Sequence, residues 1–162
     1  MVSTLLIILF FTPQDMLQVL SLAAKAKEQS KADCLVVIVM SHGSKNVILG
    51  ADGKALHLRN QIYSSFNNAN CPALKGKPKL FFIQACRGGT YNYATDNAQH
   101  FTAADTAPPD PLPEWSDMYC AYATIPEYVA VRDEERGSWF FSAVYDVFSL
   151  HAATTDLEGL MK

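Results

Sequence analysis

Cys86 and His42 are the two side chains whose types and settings suit acyl transfer. Cys86 lies in Gln84-Ala85-Cys86-Arg87-Gly88, directly behind the apolar run Leu80-Phe81-Phe82-Ile83. His42 lies in Ser41-His42-Gly43, behind an equally apolar run and 44 residues before the cysteine. A cysteine attacks a carbonyl carbon as its thiolate, and an imidazole within reach is what takes the proton. Small Ala85 and Gly88 permit a tight turn, while Gly43 and the residues around Cys86 can offer backbone N–H groups to a developing oxyanion. A lone cysteine behind a strand is more often a small core residue, and an isolated strand-end histidine is more often structural. The matched settings of the two tip the balance toward chemistry. His57, His100 and His151 lie beside a hairpin, in a polar linker and at a helix end, and none has a comparable setting.

The elements that must position this pair are legible as a strand and helix alternation. Residues 5–11 are continuous and apolar and read as a strand buried on both faces, although a short buried helix shows the same pattern. Thr12-Pro13-Gln14-Asp15 then supplies an N-cap, a proline at the first helical position and an acidic third residue, opening a helix to about Gln29. Residues 34–40 are β-branched and uncharged, as expected of a central parallel strand. Asp52-Gly53 between short apolar flanks predicts a small hairpin with a type I′ turn. Leu58, Ile62 and Phe66 mark one helix face, and residues 79–83 form the next buried strand. Residues 90–117, with prolines at 108, 109, 111 and 113, bury no apolar period and read as a mobile linker. Residues 119–124 resume as a strand, and Gly137-Ser138 starts a helix whose Phe140, Val144 and Phe148 share a face. A short capped segment begins near Thr155-Asp156. The alternation predicts an α/β domain with a mostly parallel central sheet and helices on both faces. Sites in such sheets form beyond the carboxyl ends of the strands, where both His42 and Cys86 fall.

Composition narrows the classes. The chain has 162 residues, enough for one domain that buries about 68–70% of its unfolded surface. A net charge of −3 gives no electrostatic reason to expect nucleic acid. Four cysteines, Cys34, Cys71, Cys86 and Cys120, form no C-x-x-C pair, so neither a zinc site nor a disulfide framework is expected, and a reducing cytoplasm is the simpler setting. Residues 5–11 fall far short of the roughly 20 apolar residues that cross a bilayer, and no convincing cleavage site follows them.

At Gln84-Ala85-Cys86-Arg87-Gly88 the chain carries the pattern by which caspases are recognised, with the histidine about 50 residues upstream. The resemblance extends through Met40-Ser41-His42-Gly43, Gly76-Lys77-Pro78-Lys79-Leu80-Phe81 and Gly137-Ser138-Trp139-Phe140. It implies a three-layer α/β/α fold and an aspartate-directed cysteine endopeptidase of cell death or inflammation, without cofactor or metal. Cys86 then resembles the nucleophile, His42 the proton carrier, and the N–H groups of Gly43 and Cys86 the oxyanion hole. Gln84 and Arg132 resemble the groups that hold the substrate aspartate. Tyr128, Val129, Ala130 and Val131 resemble the loop on which caspases lay the substrate backbone, with Ala130 and Val131 standing where a serine and an aromatic residue are common. Residues 1–89 correspond to a large-subunit part, 90–117 to the inter-subunit linker and 118–162 to part of a small subunit. Asp96, Asp105 and Asp117 are the candidate processing points, Asp110 being disfavoured by Pro111.

The same resemblance implies protein substrates containing aspartate, and a homodimer or a heterodimer with another caspase in the complete protein. It also implies truncation at both ends. No arginine precedes Arg59, so the second pocket arginine of caspases has no counterpart. A strand expected between those of residues 5–11 and 34–40 has none either, which would leave two rows of backbone groups unpaired at about 1–3 kcal/mol for each buried group. On that account this chain is expected to be a weak or inactive protease. The alternative function is a non-catalytic partner that binds and modulates a full-length caspase.

Overall fold

The computed structural model describes residues 3–9, 11–88, 113–133, 135 and 137–162. Asp96, Asp105, Asp110, His100 and most of the expected linker lie outside the described residues. In chain order the elements are β1 (Ser3–Leu9), α1 (Pro13–Lys25), β2 (Cys34–Met40), β3 (Gly43–Ser44), β4 (Val47–Leu49), β5 (Ala55–His57), β6 (Lys79–Gln84), β7 (Met118–Tyr122), β8 (Arg132–Asp133), β9 (Gly137–Ser138), α2 (Trp139–His151) and α3 (Leu157–Leu160). The main sheet has the order β1-β2-β6-β7, and every pairing in it is parallel.

Side-chain alternation along these strands makes two layers of packing. Leu35, Val37, Val39, Phe81 and Ile83 face one side and form the core with Met16 and Leu20 of α1. Leu58, Ile62 and Phe66 join this core as the sequence pattern requires, although their segment is a π-helical turn over Leu58–Ile62 followed by a 3-10 turn over Tyr63–Phe66. Phe82 faces the opposite side and packs edge-on against Phe148 and tilted against Phe140 of α2. Helices therefore lie on both faces, as the α/β reading expects.

Several elements depart from expectation for local physical reasons. The first strand spans Ser3–Leu9 rather than 5–11, and it is not buried on both faces. As an edge strand, it buries Ile8 on the α1 side but leaves Leu5 58% exposed and Ile7 47% exposed on the other. β1 also pairs directly with β2 over seven residues, from Ser3↔Cys34 to Leu9↔Met40, so the unpaired backbone rows expected from the resemblance do not arise. α1 begins as predicted, with Thr12 accepting from the Asp15 amide and Pro13 at the first position. It stops at Lys25 rather than near Gln29, because Ala26 turns extended and the buried Gln29 folds back to donate to the Ala23 carbonyl at 2.9 Å.

The hairpin forms between β4 and β5, but its turn is not type I′. That turn needs positive φ at both central residues; Gly53 has φ +76° whereas Asp52 is not left-handed. Asp52 instead accepts from the Lys54 amide at 3.1 Å, an Asx turn, and that amide holds its carboxyl below the usual range. β7 starts and ends earlier than residues 119–124. Ser138 is the N-cap of α2, and Asp156 rather than Thr155 caps α3.

Phe81 is fully buried, edge-on to Tyr63 at 4.8 Å, while Leu5 is mostly exposed. Phe81→Ala should therefore cost about 3–5 kcal/mol in urea denaturation, and Leu5→Ser should stay within about 0.5 kcal/mol.

Candidate active site

The site is assembled by the parallel pairing of β2 with β6, which runs in register to Met40↔Gln84. Two strands that end together deliver their following residues to the same edge, the usual place for a site in such a sheet. The Ser41 amide donates to the Gln84 carbonyl at 3.1 Å, extending the ladder one step beyond the strands. His42 follows on one side and Cys86 on the other.

Gly43 brings the two loops into contact. It is buried, and a Cβ built on it would lie 2.8 Å from the Val47 carbonyl oxygen, 2.9 Å from Ala85 Cβ and 3.0 Å from the Cys86 carbonyl oxygen. Only glycine fits so close an approach of two backbones. The His42 segment is held from behind as well: its carbonyl accepts from the Leu49 amide at 2.8 Å, and Ser41 Oγ donates to the Leu49 carbonyl. His42 is exposed and Cys86 is a partly exposed free thiol. The structure thus brings the two sequence-predicted residues to adjoining loop ends.

Behind the cysteine, the Arg87 amide donates to the Tyr128 carbonyl and the Glu127 amide donates to the Arg87 carbonyl, both at 2.9 Å. This reciprocal pair ties the loop after β7 to the loop that carries Cys86. A Cβ at Gly88 would lie 2.6 Å from the Glu127 carbonyl oxygen, so a second glycine is required here. Tyr128, Val129 and Val131 are largely exposed and Ala130 is half-buried, an accessible apolar ledge beside Cys86. The Arg87 guanidinium stacks 4.1 Å over the Tyr122 ring, whose hydroxyl is 2.7 Å from that of Tyr63. Burial holds the Tyr63 phenol well above its ordinary pKa, so it stays protonated.

Gln84 and Arg132 meet through a residue that sequence reasoning placed only as a helix start. Ser138 Oγ donates to Gln84 Oε1 at 2.6 Å and accepts from the Phe141 amide at 3.2 Å as the cap of α2. Its one proton is used on Oε1, which leaves the Gln84 Nε2 hydrogens for another acceptor. Ser138 is also the register partner of Arg132 in the β8–β9 pair. Gln84 is 8% exposed and Arg132 is exposed, so the amide is fixed and the guanidinium faces solvent. No local sequence signal could find this link, because Ser138 and Gln84 are 54 residues apart.

The remaining candidates lie elsewhere. His57 ends β5 and lines a cavity of about 540 Å³ with Arg59, Tyr63, Trp115, Cys120 and Tyr122, none of them the Cys86 and His42 pair. His151 ends α2. Asp117 immediately precedes β7 with φ +61°, and its carbonyl accepts from the Lys79 amide at 2.8 Å. Burial pushes the Cys71 and Cys120 thiols above the ordinary range, which disfavours their thiolates at neutral pH. Among the described residues no helix is long and apolar enough to cross a membrane.

Comparison with known proteins identifies the arrangement. The sequence pattern that defines the Caspase domain matches residues 7–162. Caspase-2 of Gallus gallus is 32% identical over 160 residues, covering 91% of this chain and 38% of its own length. Cell death protein 3 of Caenorhabditis remanei is 33% identical over 162 residues, covering 84% of this chain and 32% of its own. Caspase-9 of Homo sapiens is 32% identical over 179 residues, with 88% and 41% covered. The chain spans about a third to two fifths of the length of these curated relatives. With a domain match over nearly its whole length, and with cysteine and histidine at the ends of adjacent parallel strands, the chain belongs to the caspase domain family.

Proposed function

We propose that this chain carries the chemistry of a cysteine endopeptidase that cleaves peptide bonds after aspartate. The observation that carries the reading is the close approach of Gly43 to Ala85 and Cys86, which sets the His42 loop against the cysteine at the carboxyl ends of β2 and β6. His42 takes the proton from Cys86 Sγ, and the thiolate attacks the scissile carbonyl carbon. Backbone N–H groups of Gly43 and Cys86 receive the charge that develops on the carbonyl oxygen. Collapse of the intermediate expels the amine with the proton from His42 and leaves a thioester on Cys86. His42 then draws a proton from water as it attacks the thioester, which frees the carboxyl product and returns the thiol.

The substrate aspartate is held by Gln84 Nε2 and the Arg132 guanidinium, with Ser138 keeping the amide in the donating orientation. Tyr128, Val129, Ala130 and Val131 receive the preceding substrate residues. The direct β1–β2 ladder removes the unpaired backbone rows that argued for an inactive chain. On the same reading the whole protein is a single domain of large-subunit part, linker and small-subunit part that acts on protein substrates in the cytoplasm and pairs with itself or another caspase.

A second reading, a non-catalytic partner of a complete caspase, is favoured by one observation. The outer edges of β1 and β7 carry no further strand among the described residues, and Leu5, Ile7 and Leu9 are exposed beside the first. Such edges accept strands from other chains.

Hydrolysis of a fluorogenic peptide ending in aspartate separates the two. The proposal predicts turnover by the purified chain that falls to background in Cys86→Ala and His42→Ala. Arg132→Ala should lower kcat/KM roughly 10- to 150-fold, the equivalent of one charged hydrogen bond worth about 1.5–3 kcal/mol. Turnover that persists in Cys86→Ala contradicts the proposal, and no turnover in the parent chain transfers support to the second reading. Gly43→Ala, whose Cβ meets backbone rather than flexible side chain, should destabilise the fold by about 1–3 kcal/mol in thermal or urea melts.

A further inference from the structure

Residues 113–117, just before β7, are fixed to the N-terminal part of the chain by a polar network that the catalytic reading does not use. Asn68 stands at its centre and is buried. Its amide nitrogen donates both hydrogens, to the Pro113 carbonyl at 2.7 Å and to Ser116 Oγ at 2.9 Å, and its backbone N–H donates to the Glu114 carbonyl at 2.9 Å. Asn67, also buried, donates to Glu114 Oε1 and accepts from the Asn70 amide. Ser116 Oγ in turn donates to Asp117 Oδ2 at 2.6 Å.

Lys79 closes the network from below. Its backbone N–H donates to the Asp117 carbonyl at 2.8 Å. Its Nζ, with no solvent exposure, donates to the Leu74 and Lys77 carbonyls at 3.0 Å and to Asn68 Oδ1 at 3.4 Å. Asn68 thus has both amide hydrogens and its amide oxygen engaged, the condition under which a buried polar group rigidifies its surroundings rather than weakening them. Trp115 adds a contact under the Arg59 guanidinium at 5.2 Å.

An endopeptidase binds its substrate as an extended strand and needs the backbone groups on either side of the cut for its own hydrogen bonds. Asp117 meets neither requirement: its φ is +61°, in the left-handed region, and its carbonyl is already bonded to Lys79. The next residue enters β7 and pairs with Lys79. Cutting there requires residues 113–117 to leave the Asn67 and Asn68 seat first, and the rate then follows the population of that open form.

We propose that residues 113–117 are a latch, seated on Asn67, Asn68 and Lys79, that closes the peptide bond after Asp117 to proteolysis. Its importance for maturation rests on the proposed reading of residues 90–117 as a segment cut between subunits, but the latch is testable without any activity of Cys86. Failure of peptide hydrolysis would therefore leave this inference untouched, and the reverse also holds.

The test uses the full chain and a glutamyl endopeptidase, which cuts unfolded protein after acidic residues, with the cuts located by mass spectrometry. Native chain should be cut after Glu114 and Asp117 at least tenfold more slowly than urea-unfolded chain. Asn68→Ala should raise both cuts at least tenfold while leaving the cut after exposed Glu158 unchanged. If Asn68→Ala does not melt cooperatively, Ser116→Ala, which removes one half-buried hydroxyl that accepts from Asn68 and donates to Asp117, is read in its place against the same criterion. Native cutting after Asp117 at the unfolded rate, or a folded variant no more susceptible than the parent, overturns the proposal.

Discussion

The pairing of β2 with β6 is the constraint on which the rest depends. Two uncharged or nearly uncharged strands lie side by side in parallel from Leu35↔Lys79 to Met40↔Gln84, and one further bond, from Ser41 to Gln84, prolongs the register into the loops. A slip of one residue would turn every β6 side chain to the opposite face. Phe81 and Ile83 would leave the core under α1, Phe82 would lose α2, and Cys86 would no longer follow a strand end matched to that of His42. The apolar burial that fixes the register is thus the same burial that places the chemistry.

β6 links both layers to the site. Its core-facing side holds Lys79, Phe81 and Ile83, and its other side presents Phe82 to α2. At its end, Gln84 joins Ser138, the cap of α2, so the helix that covers the second face also orients the amide two residues before Cys86. The cap satisfies an orphan N–H of the helix and fixes the Gln84 side chain with one hydroxyl. At the opposite end of β6, buried Lys79 gathers three acceptors from the segments around it. Burial lowers its pKa, and the nearby Asp117 carboxylate works against that shift.

The strands that carry the site are legible because central parallel strands are near-continuous apolar runs, and residues 34–40 and 80–83 are such runs. Cys86 and His42 followed from their positions behind those runs. The caps at Thr12 and Ser138 were legible too, since capping is a local interaction. What escaped the sequence was decided by particular partners, some near and some far along the chain. Ala26 breaks α1 because Gln29 finds a buried acceptor at Ala23, and periodicity carries no sign of that. Asp52-Gly53 matches a type I′ turn by composition, but Lys54 captures the Asp52 carboxylate and a different turn forms. β1 lies directly on β2, where family comparison had inserted another strand, because the seven-residue ladder leaves no gap between them. Ser138 reads from the sequence as a cap alone, since its second partner, Gln84, lies on another strand of the fold.

The central claim is that Cys86 is a nucleophile set beside a site that selects aspartate. The most direct measurement treats the native chain with a peptidyl electrophile that bears aspartate next to its reactive carbon, and in parallel with its asparagine analogue, and locates the adduct among the four cysteines by mass spectrometry. The account predicts rapid modification of Cys86 alone by the aspartyl reagent, at least tenfold slower modification by the asparagine analogue, and loss of that preference in Arg132→Ala. Equal labelling of Cys34 and Cys86, or equal rates with the two reagents, would contradict it.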